Sequence, residues 1–132
     1  MTVANALLKA IHARLAGDAA LAAMIGPDGI HDRLLQRPKL PAIVLGEMET
    51  RDLSTATEPG EEHFLTLEIW SDGEGRRRAL EIAGRADALL NDAALVLDGA
   101  VLVSLLRIGM RTRREPKTRT YLAELRFRAV TE

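Results

Sequence analysis

The sequence contains no cysteine in 132 residues, which removes disulfides, thiolate metal sites and thiol nucleophiles at once. That suits a reducing compartment without demanding one. Histidine is nearly as scarce. Of His12, His31 and His63, no two stand at the four-residue helical spacing that puts two imidazoles on one metal, and each reads as a solvated or capping residue. Aromatics number four, Phe64, Trp70, Tyr121 and Phe127, and a small core needs them, so none is left over for stacking on bases or sugars. An excess of one charge is lacking too: the formal net charge is -1, where a dedicated nucleic-acid binder carries a strong basic surplus. No stretch approaches the roughly 20 apolar residues that cross a bilayer. Lys9, His12 and Arg14 break up the N-terminal stretch that a secretory signal would keep apolar. A soluble, uncleaved protein with no membrane partner is expected. Its length fits one domain over residues 1–132 with one real core, and there is no repeat, low-complexity tract or linker.

Reactive constellations are missing as well. Ser54, Ser71 and Ser104 lack the Gly-x-Ser-x-Gly context that strains a nucleophile into exposure. Gly73-Glu74-Gly75 before Arg76, Arg77 and Arg78 superficially resembles a phosphate-binding turn. It has neither the Lys-Ser/Thr of a P-loop nor a third glycine, so it reads as a helix start. Glu61 with Glu62, or Glu47 with Glu49, offers two carboxylates to a divalent cation and no third ligand. His31 beside Asp32, and His63 after Glu61 and Glu62, have the residue types of a proton relay, but adjacent strand residues point to opposite faces. No catalytic, cofactor or metal residue is assigned, and an enzyme is not expected.

What is present is a clear order of elements. Val3, Leu7, Ala10 or Ile11, and Leu15 form a helical stripe after Thr2 as N-cap, with Gly17 as terminator; Asp18 then caps a short helix that Gly26 and Pro27 end. Ile30 to Leu35 reads as a short extended stretch, followed by a connector bounded by Pro38 and Pro41. Ala42 to Gly46 is a brief central strand. Met48 to Glu62 has little periodicity and reads as a long loop or a frayed extension of that strand. His63 to Ser71 alternates, with Leu65, Leu67 and Ile69 on one side and Phe64, Thr66, Glu68 and Trp70 on the other. Ser71 and Glu74 have capping-box spacing before a helix whose Ala79, Ile82, Ala83, Ala86 and Leu89 or Leu90 point inward, with Glu74 to Arg78 and Glu81 to Arg85 as supporting pairs. Asp98-Gly99 marks a tight hairpin. The second arm runs to Arg113, a turn holds Pro116 and Lys117, and Tyr121 to Val130 returns half buried. The pattern is α+β: a mixed, mainly antiparallel sheet packed by an N-terminal helix and a long central helix.

Charge is segregated along the chain. Between Glu47 and Glu62 the acids Glu47, Glu49, Asp52, Glu58, Glu61 and Glu62 stand against Arg51 alone; between Arg107 and Arg119 the bases Arg107, Arg111, Arg113, Arg114, Lys117 and Arg119 stand against Glu115 alone. The basic arm has three readings: a sheet edge protected from aggregation by charge, a contact for an acidic neighbouring subunit, or a contact for phosphate backbone. The second is favoured.

The order of DAALAAMIG, IHDRL, LPAIVLG, STATE at Ser54 to Glu58, HFLTLEIWS, RALEIAGRADALL, LDG, LVSL and TYLAELRFRAV resembles the tail-terminator and tail-completion proteins of long-tailed phages and gene transfer agents, over some nine tenths of the chain. The Ala-rich and Arg-rich composition looks more like a gene transfer agent than a lytic phage. The resemblance implies a structural protein of the neck or tail of a virion, assembled in the bacterial cytoplasm. Its protomers would form a ring, expected to be a hexamer, that caps the head-proximal end of the tail tube, ends polymerisation and joins the tail to head-side connector proteins. Implied partners are other copies of itself, the major tail-tube protein and a head-tail connector or stopper protein, with DNA passing through the lumen without sequence-specific binding. On that reading Glu58, Glu61 and Glu62 of one protomer face Arg111, Arg113, Arg114 or Lys117 of its neighbour, and Met48, Leu53 and Met110 are candidates for touching the tube. The alternatives are a head-tail stopper and a small DNA-binding accessory module using the basic hairpin.

Overall fold

The computed structural model describes residues 2–32, 39–73 and 76–132. Helix α1, Val3–Ala16, begins where the Thr2 hydroxyl accepts a hydrogen bond from the Asn5 amide at 3.2 Å. It buries Ala6, Leu7, Ile11 and Leu15, the stripe its spacing predicts. Helix α2, Ala19–Ile25, starts on Asp18, whose carboxylate accepts from the Leu21 amide at 2.9 Å, and stops at Gly26, whose φ of 83° favours glycine.

Strands β1 (Ile30–His31), β2 (Ala42–Asp52) and β3 (Glu61–Ser71) precede helix α3 (Arg77–Leu90). Strands β4 (Val96–Leu97), β5 (Ala100–Glu115) and β6 (Thr120–Thr131) follow it. They form one six-stranded sheet in the order β1-β2-β3-β6-β5-β4. The class is α+β, as the sequence pattern predicts. The sheet is mixed, because β1 runs parallel to β2 while the other neighbouring pairs are antiparallel; the hairpin signals alone foresee only the antiparallel part. Between β4 and β5, Gly99 alone takes a positive φ, 79°.

The expected loop over Met48 to Glu62 is mostly strand. Register runs without a gap from Met48 opposite Leu65 to Asp52 opposite Glu61, leaving Leu53 to Gly60 as the hairpin tip. Ladder hydrogen bonds require no apolar side chains, so the polar run Glu49 to Asp52 pairs without showing the hydrophobic alternation that marks a half-buried strand. A bulge between Leu45 and Met48 also breaks the alternation.

The three helices cover one face of the sheet. Leu65, Leu67 and Ile69 of β3 and Ala123, Leu125, Phe127 and Ala129 of β6 meet Ala79, Ile82, Ala83, Ala86, Leu89 and Leu90 of α3 there. Both Leu89 and Leu90 are buried. Arg85 does not pair with Glu81: Glu81 takes Arg77 at 3.0 Å, and Arg85 reaches Asp18 with its Nε at 2.9 Å. Asp18 therefore caps α2 and anchors it to α3, and the Arg85 hydrogen bond, aided by the Leu21 amide, holds its carboxyl down at about 2. Helix α3 begins at Arg77 with no side-chain cap, and Ser71 is the buried last residue of β3, accepting from the Gly73 amide at 3.4 Å. The Ser71–Glu74 box, the Glu74–Arg78 pair, the Gly73-Glu74-Gly75 turn, and the Arg33 to Leu35 and Pro38 parts of the early connector lie, in whole or in part, outside the described residues.

Phe127→Ala removes the largest fully buried side chain and is expected to cost about 3–5 kcal/mol in urea unfolding. For Asp18, the folded-state value lies below the ordinary 3.8, so the unfolded chain takes the proton first. Its contribution is complete above that value and disappears as pH falls toward about 2. Asp18→Asn should lower the melting temperature at pH 7 and lose less than wild type does on acidification between those two values.

Candidate functional site

Residues with reactive side chains are placed apart. His12 is exposed on α1 and His31 lies on β1. His63 departs from its expected solvated or capping role: it is fully buried on the helix-facing side of β3, with Nδ1 at 2.9 Å from Thr50 Oγ1 and Nε2 at 3.0 Å from Thr131 Oγ1. Each hydroxyl rotates to suit either tautomer, so the neutral ring is satisfied on both nitrogens. Burial pushes its pKa down. The imidazole thus pins β2 and β6 to β3 and is a structural element. Among the described residues no group of three His, Asp or Glu side chains is placed to hold a metal ion, and no helix is long and apolar enough to cross a membrane. One shallow depression of about 410 Å³ is lined by Glu47, Glu49, Phe64, Thr66, Ile108 and Arg126 among others. It contains no pairing of a nucleophile with a base.

The charged surfaces are organised differently. The acidic hairpin tip, with exposed Glu58, lies beyond Glu61, which is opposite Thr131; the basic turn, with exposed Lys117, lies beyond Arg114, which is opposite Tyr121. Tyr121 stands opposite Ser71 at the far end of β3, so the two tips sit at opposite ends of the sheet, on the order of 35 Å apart at the rise of an extended strand. Within one chain they do not meet.

Several of the expected interface residues are already paired at home. Glu62 accepts from Arg128 Nε at 2.6 Å. Arg111 reaches Glu124 at 3.4 Å, and Arg113 reaches Glu115 at 3.1 Å and Glu124 at 3.6 Å. Arg114, Lys117, Glu58 and Glu61 have no ion-pair partner among the described residues. On the helix-free face Arg51 also stacks over Phe64, 5.1 Å from the ring centroid, a contact of the cation–π kind.

Of the three apolar candidates, Met48 packs partly against the core, while Leu53 and Met110 are 43% and 46% exposed. The more extensive apolar surface escaped sequence reasoning. Val101, Val103, Leu106, Ile108 and Met110 are all exposed along β5, and Val96 on β4 is 93% exposed. The signal was there: AVLVSLLRIGM is apolar at both odd and even positions, more than one buried face of an end strand uses.

His63→Gln tests the structural role. Because burial lowers the folded-state pKa, the unfolded chain is protonated first, and this contribution is full above the ordinary 6.5 and declines as pH falls below it. The variant should lose about 1–3 kcal/mol at pH 7 and show a flatter stability profile below 6.5 than wild type by chemical denaturation.

A family model described as tail completion protein gp17 matches residues 9–132. Among solved structures, a chain in the virion of a native gene transfer agent particle is similar at 31% identity and a TM-score of 0.90, over 99% of this chain and 98% of that one. No curated protein matches the chain.

Proposed function

Because the chain belongs to the tail completion protein gp17 family, whose members are structural components and not enzymes, we propose that this protein completes the tail of a virion by capping the head-proximal end of the tube as a ring. Its place is the neck or tail of a phage-like particle, here one of the gene-transfer-agent kind. The observation that carries this is the end-to-end likeness to a chain of a gene transfer agent virion, in fold and in nearly a third of its residues. As a terminator it stops polymerisation of the tube protein, offers its other side to a connector or stopper protein, and lets DNA pass through its lumen. It performs no covalent chemistry.

The charge map supports ring formation by heterologous contact. In such a ring one patch of each copy meets a different patch of the next, and rotation closes the circle. A chain with acid at one end of its sheet and base at the other supplies two such different patches. Glu58 and Glu61 are the acids of the tip still available to a neighbour's Arg114 or Lys117. Glu62 contributes after exchanging Arg128, and Arg111 and Arg113 after exchanging Glu124. These exposed charges steer docking more than they hold it. Apolar cover comes from Leu53, Met110 and the β5 stripe, with Met48 behind them.

Deletion of the gene tests the assignment. Electron microscopy should show tubes of uncontrolled length that fail to join heads. Tubes of normal length left unattached indicate the stopper role instead, and normal attached tails overturn both. A DNA-binding accessory role predicts instead a duplex affinity that falls steeply with salt and with loss of Arg111, Arg113 and Arg114.

A further inference from the structure

Among the described residues, β2 and β5 each leave part of their outer edge open. Strand β4 covers β5 only at Ala100 and Val101. The turn after α3 covers it again where the Leu105 carbonyl accepts from the Asp92 amide at 2.7 Å and the Arg107 amide donates to Asn91 Oδ1 at 2.9 Å. From Ile108 to Glu115 no described residue pairs with its outer edge. On the other side β1 covers β2 at Ile43 and Val44, and no described strand pairs with the outer edge from Leu45 to Asp52. Each open stretch carries a bulge, between Leu45 and Met48 and between Arg107 and Gly109. The regular open segments are therefore Met48 to Asp52 and Gly109 to Glu115, with Glu47 in the bulge beside the first.

We propose that the open edge of β5 in one copy pairs antiparallel with the open edge of β2 in the next, with Glu49 opposite Arg111 and Glu47 opposite Arg113. The sheet then continues from subunit to subunit. This rests on the ring reading above and replaces its tip-to-tip charge contact: in this register Asp52 falls opposite Ile108, so a neighbour's Arg114 and Lys117 lie about 20 Å or more from Glu61 and Glu58. Unpaired edges are templates for strand addition, and the two edges differ in sign. The β5 edge holds Arg111, Arg113 and Arg114 with Glu115, and the β2 edge holds Glu47, Glu49 and Asp52 with Arg51. Pairing β5 with β5, or β2 with β2, brings like net charge together; β5 with β2 brings opposite charge together.

Register follows from faces and charges. Glu49 stands opposite Phe64, and Arg111 opposite Glu124, on the helix-free side; Met48 stands opposite Leu65, and Met110 opposite Leu125, on the helix side. The proposed register keeps each face whole, setting Met48 beside Thr112 and Thr50 beside Met110. A one-residue slip swaps every face. A slip of two one way puts Arg51 against Arg111 and Glu47 against Glu115; the other way it leaves Glu49 against Gly109. The open part of β5 lies toward the Ser71 end of the sheet and that of β2 toward the Glu61 end. Successive copies are thus staggered along the strands, which closes when strands tilt as in a barrel.

The absence of cysteine gives a clean test on assembled particles. With Met48→Cys and Thr112→Cys in one chain, mild oxidation or a short bismaleimide should yield a ladder of linked chains on a non-reducing gel, and either single variant should yield none. Glu47→Arg with Glu49→Arg, and Arg111→Glu with Arg113→Glu, should each cut the yield of tailed particles by about tenfold or more, and the four changes together should restore it. Links formed by Thr112→Cys alone overturn the proposal. So does an unlinked double variant whose particles still give an oligomer ladder with glutaraldehyde, an outcome that leaves the ring standing. No oligomer with either reagent removes the ring itself. Should the cysteine pair prevent assembly, failure of the fourfold charge swap to recover yield overturns the pairing.

Discussion

Burial of one face of the sheet beneath three helices is the constraint on which the rest depends. The apolar side of β3 and β6 and the inner faces of α1, α2 and α3 are used up in the core. What remains for contact is the helix-free face, the outer faces of the helices, the two hairpin ends and the outer edges of β2 and β5. The helix-free face is largely self-neutralised: Glu62 holds Arg128, Glu124 lies near Arg111 and Arg113, and Arg51 donates to Glu49 at 2.9 Å. Such a face offers shape and hydrogen bonds more than a field of one sign.

Two polar devices fix that geometry from inside. Asp18 joins α2 to α3 across a long stretch of chain, through one carboxylate that also caps a helix. His63 ties β2, β3 and β6 together through two threonine hydroxyls. The second matters for the outer surface, since Thr50 belongs to the same polar half of β2 that carries Glu47, Glu49 and Arg51. Without the imidazole that half has few buried contacts to hold it in the sheet, so the exposed acidic edge is supported by a buried neutral base.

The parts of the fold legible in the sequence were those in which burial follows one period. Strands β3 and β6 alternate cleanly, and α3 repeats its alanines, isoleucine and leucines on one face. The polar half of β2 was not legible, because its pairing is made by backbone and its side chains look to water. The burial of His63 depends on Thr50 and Thr131, the latter distant in sequence, and Arg85 chose Asp18 over a neighbour one turn away for the same long-range reason. The acidic and basic clusters were visible as composition. That they sit at opposite ends of the sheet follows only from the strand order.

A strand as apolar as β5 would be a hazard in a protein meant to stay alone, because its open stretch begins with the exposed Ile108 and Met110 and invites other strands. The arginines in its second half change the outcome: they make indiscriminate pairing with like edges unfavourable and leave the apolar residues to be covered by a surface that carries carboxylates. The other outer edge of this molecule carries them at matching intervals. On the proposed pairing, a strand that repels its own kind and fits the far side of the next copy would extend in one direction around a circle. Such one-way growth would suit a protein that completes a tail, and the perimeter of the sheet is where the proposal locates it.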